Sequence, residues 1–413
     1  MTDVAALGDA ARRWDTDGLT RVPMWIYSDE ALYRRELDRF FYGPEWNYVG
    51  LSAEVPEPGD FKTTWVGERS VILTRDRDGV LHALENRCAH RGVQLCSEPF
   101  GHAGTLRCPY HQWTYRLDGT LVALPFRRGV AGQGGMPEQF ALADHRLRRL
   151  EVHERHGVVF ASFDPTVDPF EEWLGASMLG WFDRVFDGRR LRLLGDVHQR
   201  IPANWKLMFE NIKDPYHASV LHVFLVSFGL FRADNPSATQ MDATGRHSVL
   251  VCERRGPATA EPSRLASYRA DLELHDPRLL DVVREFPGNA TLVMQTLCPS
   301  VIVQQQSNTL ALRQIVPVGV GAHDLHCTFF GYEDDDEAMT TRRLRQANLM
   351  GPAGYVSLDD GEVLSLAQRG IAGAPGEHSV LEMGGSTVDD TEHVVTEAAM
   401  RAFYRYYRGA LNL

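Results

Sequence analysis

The chain has 413 residues, 44% hydrophobic and 24% charged, enough for two domains whose cores can bury metal sites without disulfides. A formal net charge of -12 with scattered lysines and arginines excludes a nucleic-acid or anionic-membrane surface, leaving small molecules and other proteins as partners. The first thirty residues are interrupted by charges and no later apolar run is long enough to span a bilayer, so no leader and no membrane segment are expected and a cytoplasmic location is. Six cysteines without a framework spacing point to metal rather than disulfides.

In chain order, Ser28-Asp29-Glu30 predicts a helix start, with a partly apolar stripe continuing to Phe41. From Trp46 to about Leu124 the period becomes two. Val71–Leu73 and Val80–Leu84 flank Asp78-Gly79 as a hairpin, and Asp118-Gly119 marks another turn, so a small β domain is expected. Its loops carry Cys88-Ala-His90-Arg91-Gly92 and Cys108-Pro-Tyr-His111, each with one thiolate and one imidazole. Two thiolates on one iron and two imidazoles on the other make a 2Fe–2S centre of raised potential. A structural Cys2His2 zinc site is the competing reading, but a zinc finger pairs its cysteines together and its histidines together. Gly92, Gly101 and Gly104 suit close backbone approach to sulfide, and Cys96, Cys252, Cys298 and Cys327 read as small core residues.

Further on, Asp214-Pro215-Tyr216-His217-Ala-Ser-Val-Leu-His222 supplies one carboxylate and two imidazoles, suited to ferrous iron once a third ligand is added. Taken alone, Asp214 before Pro215 also reads as a helix N-cap with two ordinary helix histidines, and a five-residue step does not keep both on one helical face. Strands are expected at Ser248–Val251, Thr291–Met294, Val301–Gln304 and Leu310–Arg313, and helices at Asp336–Leu349 and Thr391–Arg408. Arg313 lies in a mostly apolar strand, where a structural ion pair and a carboxylate-binding fork are both open.

With Gly59-Asp60, Glu85-Asn86-Arg87-Cys88-Ala-His90-Arg91-Gly92, Asn204-Trp205-Lys206 and Glu210-Asn211 before Asp214, the chain resembles the large (α) subunits of Rieske non-haem iron aromatic-ring-hydroxylating oxygenases. The resemblance implies an α+β protein: a segment 1–45 packing on the catalytic domain, an all-β Rieske 2Fe–2S domain over 46–161, and a helix-grip catalytic domain of antiparallel sheet with helices over 162–413. It implies Cys88, His90, Cys108 and His111 as cluster ligands. His217, His222 and Asp360, the second acid after Gly351-Pro352-Ala353-Gly354, would hold mononuclear Fe(II), while Asp359 reads as a helix cap. Asp214 would bridge to a Rieske histidine of a neighbouring subunit, Asn211 would line the iron pocket, and Trp205 would be core.

The nearest pattern is that of aryl-carboxylate enzymes, which implies Arg313 and Arg401 as substrate-binding residues. O2 would be the co-substrate. No nucleotide fingerprint is present, so electrons from NAD(P)H would arrive through a reductase and ferredoxin. A small β subunit in an α3β3 hexamer is implied. The expected reaction is salicylate 5-hydroxylation, ahead of 1,2-dioxygenation of anthranilate, ortho-halobenzoate or terephthalate. A Rieske electron carrier without chemistry of its own is the alternative of another class.

Overall fold

In the computed structural model, which describes residues 14–254, 268–351 and 353–413, Asp29 caps the first helix by accepting a 2.7 Å bond from Leu32 N–H. Residues 1–13 of the expected N-terminal segment, and Pro352, lie outside the described residues. The helix runs Glu30–Glu36 and widens into a π turn over Leu37–Phe41, burying Leu32, Tyr33, Leu37, Phe40 and Phe41. Its last residue, Glu36, has no exposed surface. It accepts from Lys206 Nζ at 2.7 Å and Trp205 Nε1 at 2.8 Å, which ties this segment to the helix Trp205–Lys213.

A seven-stranded antiparallel sheet follows, ordered Asn47–Leu51, Val158–Ser162, Arg149–Arg155, Leu81–Glu85, Arg69–Arg75, Asp60–Val66 and Phe100–His102. The Asp78-Gly79 turn forms as the sequence predicts, with Gly79 at φ 81° and Asp76 accepting from the N–H groups of Asp78 and Val80. Short strands Leu106–Arg107, Thr114–Tyr115 and Leu121–Ala123 make a second small sheet turned at Gly119. Between the two lies a core of Ile72, Leu84, Leu106, Trp113, Tyr115 and Leu147 that also encloses Cys88 and Cys108.

The second large sheet is antiparallel throughout, ordered Leu191–Ile201, His323–Tyr332, Thr309–Pro317, Val301–Gln306, Ala290–Leu297, Ser248–Glu253 and Ser237–Met241. All four strands expected from alternation are in it. The period of two sorts its central residues between two cores. Val301, Val303, Leu310 and Leu312 pack with Trp173, Phe182 and Phe186. Leu250, Met294, Ile302, Ala311 and Ile315 face the other way, into the core that includes Trp205, Met208 and Phe209. The helix expected at Thr391–Arg408 starts only at Ala398, because Thr391 exchanges backbone hydrogen bonds with Thr239 (2.8 and 2.9 Å) and is held extended. Among the described residues, no helix is long and apolar enough to cross a membrane.

Lys213 ends the helix Trp205–Lys213 inside this core. Its Nζ donates to Ser248 Oγ (2.8 Å) and Thr296 Oγ1 (2.9 Å), with no carboxylate in ion-pair range among the described residues. Burial pushes its pKa down to about 7, below the unfolded value, so the unfolded chain binds more protons above neutrality and stability rises with pH there. Ser248 and Thr296 also bond each other at 2.7 Å and are not stranded without the lysine. Lys213→Met is therefore expected to raise the thermal midpoint at neutral pH, by about 1–2 kcal/mol of stability. Calorimetry should show the gain shrink toward about pH 10, where the lysine is neutral in both states.

Candidate metal centres and substrate cavity

The two Cys/His loops fold alike. Cys88 N–H donates to Val93 O and Gly92 N–H to Cys88 O; Cys108 N–H donates to Trp113 O and Gln112 N–H to Cys108 O. Each loop turns through a residue of positive φ four places after its cysteine, Gly92 at 72° and Gln112 at 60°. Gln112 thus does in the second loop what a glycine was expected to do. Gly101 instead lies under the Phe61 ring, where a Cβ would come within 2.3 Å of it, and a Cβ on Gly104 would meet the Arg77 guanidinium at 3.9 Å. Both thiols are buried while His90 is exposed and His111 half-exposed, their rings 4.6 Å apart. His90 stacks on Trp113 at 4.8 Å. Tyr115, which the sequence reading passed over, places its hydroxyl 3.3 Å from Cys88 Sγ; its alternation with buried Trp113 was the available signal. Two buried sulfurs, two outer imidazoles and a donor aimed at sulfur fit a cluster whose one iron is thiolate-bound and the other imidazole-bound.

The second group forms where the helix Trp205–Lys213 ends. His217 sits in the 3-10 helix Pro215–Ser219 and His222 immediately before the helix Val223–Ser227. The helical path is interrupted between them, which brings the rings to one side, 5.4 Å apart, despite the five-residue step. The helix Ser357–Gly373 delivers Asp360 from its first turn. Ligand atoms of His217, His222 and Asp360 all lie within 4.8 Å of one another, and Asp360 Oδ1 is 3.6 Å from His217 Nε2 and 3.3 Å from His222 Nε2. Burial opposes ionisation of Asp360, but the hydrogen bonds and charges of the two histidines outweigh it and hold its carboxyl well below the usual range.

Each Nδ1 faces an oxygen: that of His217 the backbone carbonyl of Asp214, that of His222 the Asp359 carboxylate at 3.3 Å. This leaves both Nε2 lone pairs free for a metal, the donor set and arrangement that ferrous iron takes. Asp359 is therefore a partner of His222; the helix begins at Ser357 and has no side-chain cap. Asn211 Nδ2 lies 3.2 Å from Asp360 Oδ1 and 3.4 Å from His217 Nε2. The side chain of Asp214 makes no cap bond to the 3-10 helix; its Oδ1 is buried with no partner among the described residues, and burial pushes the carboxyl up to about 6 against the pull of His217. Trp205 is core, as expected.

A mostly apolar cavity opens on the triad, walled by Leu225, Phe231, Leu250, Leu292, Met294 and Met350, with Asn211, Gln306 and Arg313 as its other polar lining. Arg313 is 1% exposed and has no acidic partner among the described residues. It donates to Gln304 Oε1 (3.4 Å) and Met208 Sδ (3.6 Å) and meets the Cys327 thiol, and its Nε has no partner among the described residues. The structural ion pair weighed for this position does not form. Arg401, expected in the substrate site, does not reach the cavity. It is fully buried and donates to the carbonyls of Leu381 (2.9 Å), Met383 (3.1 Å) and Thr387 (2.8 Å), because its helical position points it into the 381–387 segment.

Residues 45–133 match the Rieske 2Fe–2S domain, and residues 188–412, more than half the chain, match the catalytic domain of ring-hydroxylating alpha subunits. The chain is 52% identical to the large oxygenase component of salicylate 5-hydroxylase from Ralstonia sp., covering 97% of this chain and 96% of that one. It is 42% identical to the large subunit of anthranilate 1,2-dioxygenase from Burkholderia cepacia (95% and 93% covered) and 39% to a terephthalate 1,2-dioxygenase alpha subunit from Comamonas sp. (96% of each). The fold matches that of naphthalene 1,2-dioxygenase from Rhodococcus sp. with a TM-score of 0.78 at 24% identity over 95% and 94% of the two chains. Oxygenase alpha subunits of this kind form oligomers and work with a reductase and a ferredoxin, and an electron carrier would have no use for a second, catalytic domain. With a Rieske domain ahead of a catalytic domain that carries a His–His–Asp group, the chain belongs to the Rieske non-haem iron ring-hydroxylating oxygenase alpha-subunit family.

Proposed function

We propose that this chain hydroxylates an aryl carboxylate, and that the reaction is 5-hydroxylation of salicylate. The observation that carries the carboxylate is Arg313, a buried guanidinium without a counter-charge on the wall of the cavity that holds the triad. A buried, unpaired charge costs several kcal/mol, and a bound carboxylate offsets that cost with a bidentate geometry. The choice of salicylate rests on the 52% identity to the Ralstonia component. Dioxygenation of anthranilate, ortho-halobenzoate or terephthalate is the second reading, favoured by the 42% and 39% relatives and by a metal group that serves either outcome.

In this reading Cys88, His90, Cys108 and His111 of a domain spanning 46–161 hold the cluster, and His217, His222 and Asp360 of the domain 162–413 hold iron. Bound iron, fed electrons by the cluster, supplies the activation of dioxygen. Arg313 fixes the substrate carboxylate and so decides which ring carbon faces the metal. The apolar wall keeps water from the ring, and Asn211 holds Asp360 and His217 in register. Asp214 accepts a hydrogen bond from a Rieske histidine of a neighbouring copy, supported by its unpartnered Oδ1 and by the exposure of His90. A small β subunit completing an α3β3 hexamer, and a cytoplasmic setting with none of the six cysteines in a disulfide, belong to the same proposal.

The test is product analysis from salicylate under labelled dioxygen with a ferredoxin and reductase. One labelled oxygen in gentisate supports the monohydroxylase; a doubly labelled product from anthranilate or terephthalate instead moves the chain to the dioxygenases. Arg313→Leu is expected to raise KM for the carboxylate roughly thirtyfold or more, the cost of stripping one partner from a buried charge pair. Iron content should stay unchanged, and an unaltered KM would remove the carboxylate assignment.

A further inference from the structure

Among the described residues, the groups within hydrogen-bond reach of Arg313 are all neutral. On the sheet face it shares, its cross-strand neighbours are Ile302 and Cys327, and Gln304 lies diagonally across on the strand Val301–Gln306. Helix Trp205–Lys213 adds Met208. Among the described residues, the one oxygen that reaches the guanidinium is Gln304 Oε1, at 3.4 Å from Nη1. The other end of that amide is occupied as well: Gln304 Nε2 donates to Gln306 Oε1 at 3.1 Å, and Gln306 lines the cavity. Gln304 itself is fully buried and does not line the cavity. Arg313 can only donate, so the Gln304 amide turns its oxygen to the guanidinium and its Nε2 to Gln306 Oε1. The chain of donors therefore runs in one direction, from Arg313 to Gln304 to Gln306.

We propose that Gln304 is a positioning residue for substrate binding: its amide oxygen aims the Arg313 guanidinium along the cavity wall, and its neutrality leaves the guanidinium's charge for the substrate. The inference rests on the assignment of Arg313 to the substrate carboxylate. An amide oxygen accepts a hydrogen bond without cancelling charge, whereas a carboxylate in the same place would form an ion pair inside the protein that an incoming acid has to displace. Gln304→Glu and Gln304→Met separate the two properties, since the first keeps an acceptor but gives up the neutrality and the second keeps the volume and the neutrality but removes the acceptor.

The experiment is steady-state kinetics on the complete oxygenase with its electron donors, for the aryl carboxylate and for its uncharged carboxamide, after checking iron content and cluster spectrum. Gln304→Met is expected to raise KM for the acid several-fold, more than it lowers kcat. Gln304→Glu is expected to raise KM for the acid at least about tenfold further, the smaller end of the effect of a competing buried charge. The carboxamide should show no such difference between the variants, because it brings no charge to be neutralised. A general loss of packing would move acid and amide together. Equal KM values for the acid in the two variants, or Gln304→Glu within about twofold of the native enzyme, overturn the role of Gln304, and a raised KM in Arg313→Leu then still upholds the carboxylate site. An unchanged KM in Arg313→Leu overturns both.

Discussion

Asp360→Ala is expected to abolish ring hydroxylation while leaving the visible spectrum of the cluster intact. The carboxylate is 4% exposed and its Oδ1 is the point on which His217, His222 and Asn211 converge, at 3.6, 3.3 and 3.2 Å. Without it two imidazoles remain, too few to hold a hard divalent ion against water, and Asn211 Nδ2 loses its carboxylate acceptor. Iron should fall by about one atom per chain, to the two of the cluster, and turnover by at least roughly a thousandfold, several kcal/mol of lost metal assistance. The loops of Cys88 and Cys108 are closed by their own backbone bonds and share no core residue with the triad, so the cluster should not respond. Retention of both iron and turnover would transfer the ligand role to Asp359, whose carboxylate now faces the Nδ1 of His222.

That distinction marks where reading the sequence stops. Asp359 and Asp360 are adjacent in one helical turn and so point about 100° apart, and only the placement of the helix against His222 decides which meets Nε2 and which Nδ1. The two Cys/His loops and the Asp-Gly turns were legible because local spacing and turn chemistry fix them, whereas the spacing of His217 and His222 left a plain helix start open and only the family resemblance made them ligands. The isolation of Arg313 was not, since it depends on the register that sets Ile302 and Cys327 across from it. Arg401 misled for a related reason. A helical arginine reads the same whether it faces solvent, substrate or, as here, three backbone carbonyls of a neighbouring segment. The start of the last helix was overrun because the pairing of Thr391 with Thr239, 152 positions away, overrides local propensity.

Asp214→Ala is expected to keep both metal centres and lose at least about a hundredfold in turnover. The separation follows from which atom does what. His217 is oriented by the backbone carbonyl of Asp214, which alanine also possesses, so the iron ligand stays in place. The carboxylate is the expendable part within one chain: its Oδ1 is buried with no partner among the described residues, and burial raises its pKa to about 6, so holding it there costs stability. Burial of an oxygen that finds no partner among the described residues of one chain costs stability, and in the proposed assembly the exposed imidazole of His90 on a second copy supplies the missing donor. Iron analysis, the cluster spectrum, chemical reduction of the cluster and product formation should be measured on the same preparation. Normal iron and normal cluster reduction with little product would place the defect between the centres. Turnover within about twofold of the native enzyme would remove the bridging role, and loss of iron would make Asp214 a support of the triad instead. Asp214→Asn sharpens the result, because the amide keeps an acceptor without the charge: partial recovery of turnover relative to alanine is expected if the contact is a hydrogen bond, and none if the ionised carboxylate is what holds the neighbouring imidazole.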